Sequence, residues 1–195
     1  MILAGGESRR MGRDKLLLEV GGEPMLRRVC DALSTRCAEV VVVGGGGDPV
    51  PLGRIRRVSD ERSGGLGPLA GLEAGLAAAR SRLVFVAAGD VPFLSEELVC
   101  YLLERLEGSG AFAAVPRYRG ETHPLCAAYD HEVLPQVRSA LDGGVRSVRE
   151  FLEGLDPVEY VERELWRFGD PDLFLMNVNS PEDLERARAC CEDSP

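Results

Sequence analysis

The residues best suited to chemistry lie in the first fifteen positions, where an apolar run gives way to glycines and cations. Ile2–Ala4 ends at Gly5-Gly6, and a basic, glycine-containing loop continues to Lys15. Glycines can adopt positive φ and let backbone N–H groups approach an anion closely. The cations that accompany those amides are Arg9, Arg10, Arg13 and Lys15. The stretch therefore predicts a strand followed by a loop that binds a polyanion such as a nucleoside triphosphate.

This loop differs from two common phosphate-binding motifs. A Walker loop requires G-x-x-x-x-G-K-[ST], but Gly12 is followed here by Arg13-Asp14-Lys15. The dinucleotide pattern G-x-G-x-x-G does not follow the strand either. The structural alternative is an ordinary surface turn with solvated arginines. Adjacent glycines directly at a strand end, followed by clustered cations, favour the anion site.

Composition narrows the range of partners. The chain has 195 residues, a length that favours a single domain spanning residues 1–195. A domain of this size buries roughly 70% of the surface that its unfolded chain exposes. Its net charge of -9 argues against nucleic acid and membrane surfaces as partners. The basic stretch near the start is therefore a local patch on an acidic protein. Such a patch favours a small anionic ligand.

Cysteine and histidine usage argues against a zinc site and a disulfide framework. The six cysteines include no C-x-x-C pair, and the chain has two histidines. Buried thiols in a reducing cytosol are the expected state. The sequence has neither a signal peptide nor a transmembrane run, so we expect a cytoplasmic location.

Strand and helix patterns alternate through the first half of the chain. Val40–Val43 and Leu83–Ala88 are apolar runs typical of strands buried on both faces, and Ile55–Ser59 is a weaker strand. The helical patterns between and after them are Pro24–Arg36, a pattern through Leu72–Ala78, and a helix capped by Ser95. This alternation predicts right-handed βαβ units and a parallel sheet.

Three of the predicted strands end in residues that could bind a ligand. These ends carry Gly5-Gly6, Asp60 and Gly89-Asp90. Ligands of open α/β sheets lie beyond the carboxyl ends of the strands. We therefore expect one site to gather all three ends.

The second half of the chain is less regular. Its predicted strands are Ala111–Pro116, Pro124–Tyr129, Val158–Val161 and Leu173–Asn177. Its predicted helices are His131–Leu141, Ser147–Leu155 and a last helix that opens at Ser180-Pro181-Glu182-Asp183. In that last helix Ser180 is the expected N-cap, with proline at the first helical position and Asp183 completing a capping pattern.

The motifs together resemble a known family. Leu3-Ala4-Gly5-Gly6-x-Ser8-x-Arg10-Met11-Gly12-x-Asp14-Lys15 resembles the signature of the molybdenum cofactor guanylyltransferases, the MobA family. Four later motifs fall in the family's order: Gly67–Gly71, Gly89–Phe93, His123-Pro124 and Asn177–Leu184. Each later motif is weak alone, but the first and the last together are specific. The resemblance covers nearly the whole chain.

The resemblance implies an α/β fold, a Rossmann-like nucleotidyltransferase in which helices cover both faces of a mostly parallel central sheet. It implies that GMP passes from GTP to the terminal phosphate of molybdenum-bound molybdopterin (Mo-molybdopterin), with Mg²⁺ as cofactor and pyrophosphate as product. The N-terminal half is expected to bind GTP and the C-terminal half the acceptor. Molybdenum-insertion proteins and molybdoenzyme chaperones are implied as further partners, and a monomer is the expected state.

The nucleotide side of the site carries over from the family residue by residue. The positions that resemble the main-chain platform for GTP are Leu3, Ala4, Gly5 and Gly6. Lys15 resembles the cation that binds the phosphates, and Arg10 is a candidate helper in catalysis. Attack of one phosphate on another brings two anions together, so charge neutralisation dominates such a reaction.

The remaining roles each have a structural alternative. Asp90 resembles the metal ligand, and a carboxylate suits Mg²⁺, but aspartate before a proline turn is also common. Asp60 resembles a nucleoside contact and could equally be a turn residue. Asn177 and Asn179 resemble residues on the molybdopterin side and could instead tie the start of the last helix.

Two alternatives to the guanylyltransferase stay open. A cytidylyltransferase acting on the same cofactor tends to carry Leu-Ala-Ala-Gly in its loop, whereas this chain has Leu3-Ala4-Gly5-Gly6, which favours GTP. A non-catalytic module that holds a nucleotide or the pterin for delivery is the other. Family members also often place asparagine where this chain has Gly44, which leaves part of the base or ribose pocket open to question.

Overall fold

A single mixed sheet forms the centre of the protein, which is described here by a computed structural model. The structure describes residues 1–5, 15–44, 55–59 and 67–192. Within these ranges the strands are β1 (Ile2–Leu3), β2 (Glu19–Val20), β3 (Glu23–Pro24), β4 (Val41–Val43), β5 (Arg56–Val58), β6 (Leu83–Ala88), β7 (Ala113–Tyr118), β8 (Glu121–Thr122), β9 (Cys126–Asp130) and β10 (Val158–Val161). All except the β2–β3 hairpin belong to the sheet.

Helices connect and cover these strands. The α-helices are α1 (Met25–Ser34), α2 (Pro68–Ala78), α3 (Glu96–Ser109), α4 (Leu134–Asp142), α5 (Val148–Glu153), α6 (Pro171–Phe174) and α7 (Pro181–Glu192). Short 3₁₀ helices occupy Lys15–Leu17, His131–Val133 and Arg163–Phe168. None of the helices in the described ranges combines the length and apolar character that crossing a bilayer requires.

The sheet order is β10-β7-β9-β6-β1-β4-β5, with β8 paired to β7. The strands β5, β4, β1 and β6 run parallel to one another, as the alternation of strands and helices predicted. Strand β9 runs antiparallel to both β6 and β7, while β10 and β7 are parallel. Parallel pairs thus predominate along the sheet, and the predicted α/β class is confirmed.

Two separate hydrophobic clusters pack on the two faces of the sheet. One joins α1 and α3 to the sheet, and it includes Leu33 and Leu102. The other joins α2, α4 and α5 to the opposite face, and it includes Leu72 and Phe151. Helix α2 lies so close to the sheet that a Cβ placed at Gly75 would come within 1.8 Å of the sulfur of Met1. The arrangement is the expected three-layer α/β/α sandwich.

One predicted strand is wrong. Leu173–Asn177 does not form a strand, since Pro171–Phe174 is helical and an irregular segment follows. The side chain of Asp170 accepts a hydrogen bond from the N–H of Asp172, and Pro171 occupies the first turn. These local signals start a helix, and the apolar run then buries Phe174 and Leu175 against the sheet instead of pairing with it.

Candidate active site

The carboxyl ends of the parallel strands meet at one edge of the sheet. Leu3 accepts a hydrogen bond from the N–H of Gly89 at 3.0 Å, and Val43 accepts one from the N–H of Ala4 at 2.8 Å. The strand ends at Gly5, Gly44 and Gly89-Asp90 therefore lie side by side. The predicted neighbours Gly5 and Gly89-Asp90 are thus brought together, whereas Asp60, the third predicted end, lies outside the described residues. This edge carries the residues with which a ligand could interact.

Three charged or polar side chains converge at this edge. The ammonium nitrogen Nζ of Lys15 donates to Oδ2 of Asp90 at 2.6 Å and to Oδ1 of Asn179 at 2.9 Å. The side chains of Lys15 and Asp90 are 21% and 14% exposed, so the ion pair is partly shielded from water. Partial burial strengthens such a pair relative to one on an open surface. The structure thus joins residues that are 75 and 164 positions apart in the sequence.

The main chain holds these side chains in place. The N–H of Val178 donates to the carbonyl of Asp90 at 2.9 Å, so the segment before α7 is tied to the loop after β6. Oδ2 of Asp183 accepts hydrogen bonds from the N–H groups of Asn179 and Ser180, and Ser180 Oγ accepts one from the N–H of Asp183. This is the predicted capping pattern, and it fixes the backbone that presents Asn179 to Lys15.

Hydrogen bonding at this cap also changes the acidity of Asp183. Partial burial raises the pKa of this carboxyl, but the N–H groups of Asn179 and Ser180 outweigh that effect and hold the pKa below its usual value. The carboxylate therefore stays ionised at neutral pH. The cap that positions Asn179 is accordingly intact under ordinary conditions.

A third, small hydrophobic cluster lies beneath the site. It joins the β2–β3 hairpin, the start of α1, the 176–178 segment and α7, and its members are Val20, Met25, Val178, Leu184 and Ala187, with Leu18, Phe93, Met176 and Cys191 packed against them. We call it the site cluster. It contains Leu18 and Phe93, which lie three positions after Lys15 and Asp90, and Val178, which directly precedes Asn179, so it stabilises all three segments together.

Arg28 adds a polar link between the site cluster and the loop that follows Asp90. Its Nε donates to the carbonyl of Pro92 at 3.0 Å, its Nη1 donates to the carbonyl of Val20, and the guanidinium lies 5.5 Å from the ring centroid of Phe93. Neither this link nor the β2–β3 hairpin was predicted from the sequence. The sequence signal for the hairpin is the Gly21-Gly22 pair between Glu19-Val20 and Glu23-Pro24, because both glycines have positive φ, as a two-residue hairpin turn requires.

One oxygen of the Asp90 carboxylate has no hydrogen-bond partner among the described residues. Oδ1 is buried and makes no hydrogen bond within the part of the chain that the structure describes. An unsatisfied buried carboxylate oxygen is costly unless a ligand satisfies it. Mg²⁺ takes one or two carboxylates and keeps several waters, so the donor atom fits this ion. No group of three or more potential metal ligands occurs among the described residues.

The other predicted positions are distributed around this centre. Leu3 and Ala4 are buried and Gly5 is exposed at the loop entrance. Asn177 is exposed two residues before Asn179, separated from it by the buried Val178. The predicted site residues that lie outside the described residues are Gly6, Arg10 and Asp60.

Gly44, where related proteins often have asparagine, packs directly against the loop entrance. Its φ is 77°, its N–H donates to the carbonyl of Val58, and a Cβ placed there would lie 3.2 Å from the Cα and N of Gly5. A side chain at this position would require the two backbones to separate by a few tenths of an ångström. In this chain, therefore, backbone and not a side chain forms that part of the entrance.

Comparison with known proteins gives a consistent result from sequence and from structure. The model of the family described as "MobA-like NTP transferase domain" matches residues 1–158. A "Probable molybdenum cofactor guanylyltransferase" from Pelotomaculum thermopropionicum is 40% identical over 100% of this chain and 93% of the relative. A protein of the same name from Methanosarcina mazei is 36% identical over 95% of this chain and 87% of the relative.

Solved structures share the fold over the whole chain. The crystal structure of molybdopterin-guanine dinucleotide biosynthesis protein A from Archaeoglobus fulgidus has a TM-score of 0.83 and 27% identity, covering 98% of this chain and 97% of its own. The 2-C-methyl-D-erythritol 4-phosphate cytidylyltransferase from Thermus thermophilus, at a TM-score of 0.73 and 23% identity over 98% and 97%, shares the fold alone. The chain thus belongs to the family of MobA-like NTP transferase domains.

Proposed function

We propose that this protein transfers GMP from GTP to the terminal phosphate of Mo-molybdopterin and releases pyrophosphate. Relatives that are 40% and 36% identical over almost the whole chain carry the name of that activity. The structural neighbour from Archaeoglobus fulgidus is named for the biosynthesis of the guanine dinucleotide product. These names support the choice of both substrates.

The observation that carries the proposal is the convergence of Lys15, Asp90 and Asn179 beyond the carboxyl ends of β1 and β6. Ligands of open α/β sheets bind at this edge. A cation, a carboxylate with a buried spare oxygen and an amide, each on a different segment, are groups that can bind a triphosphate and its metal. The site thus matches the chemistry of nucleotidyl transfer.

The reaction needs charge neutralisation more than a protein nucleophile. An oxygen of the acceptor phosphate attacks the α-phosphorus of GTP, the bond from that phosphorus to the β-phosphate oxygen breaks, and pyrophosphate leaves. The acceptor phosphate is already ionised at neutral pH, so no side chain has to remove a proton from it. Lys15 neutralises charge on the leaving pyrophosphate, and Asn179 orients the ammonium.

Asp90 is the proposed metal ligand of this site. Its Oδ1 is the buried oxygen that is free to coordinate a cation among the described residues. Mg²⁺ bound there would neutralise the phosphates. A solved relative of the same fold, Rv0371c from Mycobacterium tuberculosis, is described in complex with manganese, and the choice of Mg²⁺ for this chain is part of the proposal.

The two halves of the chain divide the substrates in this proposal. Leu3, Ala4 and Gly5 belong to the GTP platform, which continues into Gly6, and Arg10 and Asp60 keep their predicted roles there. Asn177 and Asn179 contact the acceptor from the opposite side. The chain acts as one domain and as a monomer, and molybdenum-insertion proteins and molybdoenzyme chaperones remain its expected partners.

Preference for guanine is assigned to Gly5. A Cβ placed at Gly5 meets no atom of the described residues within 4 Å, and the φ of Gly5 is not positive. The part of the chain that the structure describes therefore has room for alanine at this position, and we assign the selection against the extra methyl group to the nucleotide. A cytidylyltransferase loop with alanine here would suit a smaller base, so glycine supports GTP.

Pyrophosphate release is the direct test. The purified protein is incubated with Mg²⁺ and purified Mo-molybdopterin, and GTP, CTP and ATP are supplied in separate reactions. We expect pyrophosphate with GTP only, and only when the acceptor is present. Release from CTP in preference to GTP would establish the cytidylyltransferase instead, and nucleotide binding without release would establish a binding module.

A further inference from the structure

Lys15 stands alone among the cations of this protein. Of the 23 lysine and arginine residues, it is the sole lysine. An ammonium is a compact point charge with three donors that can reorient, whereas a guanidinium is a rigid planar fork. In an arginine-rich chain, the one ammonium lies at the candidate active site, where it contacts both Asp90 and Asn179.

The contacts of Asp90 place that ammonium where a metal would compete with it. Nζ of Lys15 donates a hydrogen bond to Oδ2 of Asp90 at 2.6 Å. Oδ1 of the same carboxylate is buried and has no hydrogen-bond partner among the described residues. A divalent cation on Oδ1 would therefore lie close to an ammonium in a partly shielded site. Repulsion between the two cations weakens metal binding as long as Lys15 stays on Asp90.

A triphosphate removes this conflict. Its oxygens are strong partners for an ammonium, and Lys15 is the cation that the proposed function assigns to them. A flexible four-carbon stem allows the ammonium to move between two acceptors. Once Lys15 has moved to a phosphate, both oxygens of Asp90 are available to the metal, and the phosphates supply further ligands.

We propose that Lys15 is an exchangeable cation that couples metal binding to nucleotide binding. Without nucleotide it neutralises Asp90 and keeps metal affinity low; with nucleotide it passes to the phosphates, and the metal replaces it on Asp90. The coupling is reciprocal, so the metal must raise the affinity for the triphosphate by the same factor. This inference deepens the proposed function and rests on its assignment of Lys15 and Asp90.

Metal titration tests the exchange without turnover. Mn²⁺ serves as the probe and is followed by electron paramagnetic resonance, without nucleotide and with a GTP analogue that carries a methylene group between its α- and β-phosphorus atoms. Without nucleotide, Lys15→Met should bind Mn²⁺ at least about tenfold more tightly than the wild type, because the competing charge is gone. With the analogue, wild-type affinity should rise by at least the same factor.

Two control variants show where the effect arises. Arg105→Met also removes one positive charge, from the ion pair between Arg105 on α3 and Glu159 on the outermost strand β10, and it should bind Mn²⁺ as the wild type does. Adding Asp90→Asn to Lys15→Met should abolish the gain. Equal Mn²⁺ affinity in Lys15→Met and the wild type, or an equal gain in Arg105→Met, would overturn the proposal.

The wild-type protein offers a second test that no folding defect can confound. Biosynthetic labelling with lysine that carries ¹³C at Cε gives a single Cε signal in the nuclear magnetic resonance spectrum, because the chain has one lysine. Millimolar Mg²⁺ alone should leave the Cε signal unchanged, whereas Mg²⁺ with the GTP analogue should shift it. A signal that does not respond to the analogue would refute the exchange.

These readouts separate the inference from the proposed function. They need neither the acceptor nor pyrophosphate release. If the wild type does not transfer GMP but the Mn²⁺ and lysine results are as expected, the exchange stands and the proposed reaction falls. If GMP transfer is measured but Lys15→Met gains no Mn²⁺ affinity, the reaction stands and the exchange falls.

Discussion

Two ion-paired aspartates lie at opposite ends of the same central strand, and their surroundings differ. Asp90 follows the carboxyl end of β6, and Asp130 pairs in register with Leu83 at the amino end. Each has one cation on Oδ2, Lys15 at 2.6 Å for Asp90 and Arg82 at 2.8 Å for Asp130. The difference lies in the second oxygen.

Asp130 uses both of its oxygens within the fold. Its Oδ1 accepts a hydrogen bond from the N–H of Glu132 at 2.9 Å, which caps the 3₁₀ turn at His131–Val133. Oδ1 of Asp90 has no such partner in the described residues, although it too is buried. A satisfied carboxylate stabilises the fold, whereas a carboxylate with a buried spare oxygen has capacity for a ligand. Of the two aspartates, Asp90 is therefore the one with capacity for a ligand.

The strongest test of this comparison is Asp90→Ala. We expect turnover to fall by about a thousandfold, because the proposed metal ligand and the partner of Lys15 are both lost. The fold should remain intact, since the backbone bond between Val178 and the Asp90 carbonyl does not involve the side chain. Pyrophosphate release measures the first effect, and circular dichroism with thermal unfolding the second. Activity near that of the wild type would end the assignment of Asp90.

Lys15→Ala should have the next largest effect. Turnover should fall by about a hundredfold, because the charge on the leaving pyrophosphate loses its cation. Lys15→Arg is the matched variant that keeps the charge but replaces the compact ammonium by a planar fork, and we expect it to recover only part of the activity. Steady-state rates with GTP decide the result. Full activity in the arginine variant would mean that charge alone matters at this position.

Asp130→Ala should change stability and leave the chemistry alone. Loss of the hydrogen bond that caps the His131–Val133 turn costs about 1–2 kcal/mol of unfolding free energy, which urea denaturation would measure. Turnover per folded molecule should equal that of the wild type. A large loss of activity at full folding would show that the two ends of β6 do not divide structure and function as the comparison claims.

Gly5→Ala should produce the smallest change and sharpen the account of base choice. The added methyl group clashes with none of the described residues, so stability should be unchanged. The ratio of GTP to CTP turnover should fall severalfold, in line with the small energy of one methyl group in a pocket. Parallel kinetics with both nucleotides give the ratio. An unchanged ratio would remove Gly5 from the determinants of specificity.

Local sequence signals predicted most of the first half of the fold. Val41–Val43 and Leu83–Ala88 are continuous apolar runs, which are typical of strands buried on both faces. Gly5 follows β1 and Asp90 follows β6, and the two were predicted to be neighbours because parallel strands end at the same edge of a sheet. The Ser180–Asp183 helix cap could also be predicted, because the capping pattern is contained in four consecutive residues.

Features that depend on partner choice could not be predicted. The antiparallel direction of Cys126–Asp130 depends on which strands it meets, and the run itself carries no sign of it. The apolar run at Leu173–Asn177 suggested a strand, but Asp170-Pro171 before it started a helix instead. Lys15 and Asn179 are 164 positions apart in the sequence, and no local pattern around either residue predicts their contact.

That long closure has a consequence for the order in which the protein matures. A chain emerges from the ribosome from its N-terminal end at roughly 5–20 residues per second, so Lys15 waits roughly 8–30 s for Asn179 to follow it. Until then the nascent chain carries a strand edge and a lysine–aspartate pair without the amide that completes them. The contact of Lys15 with both Asp90 and Asn179 is therefore completed only late in synthesis, and chains released before residue 179 lack it.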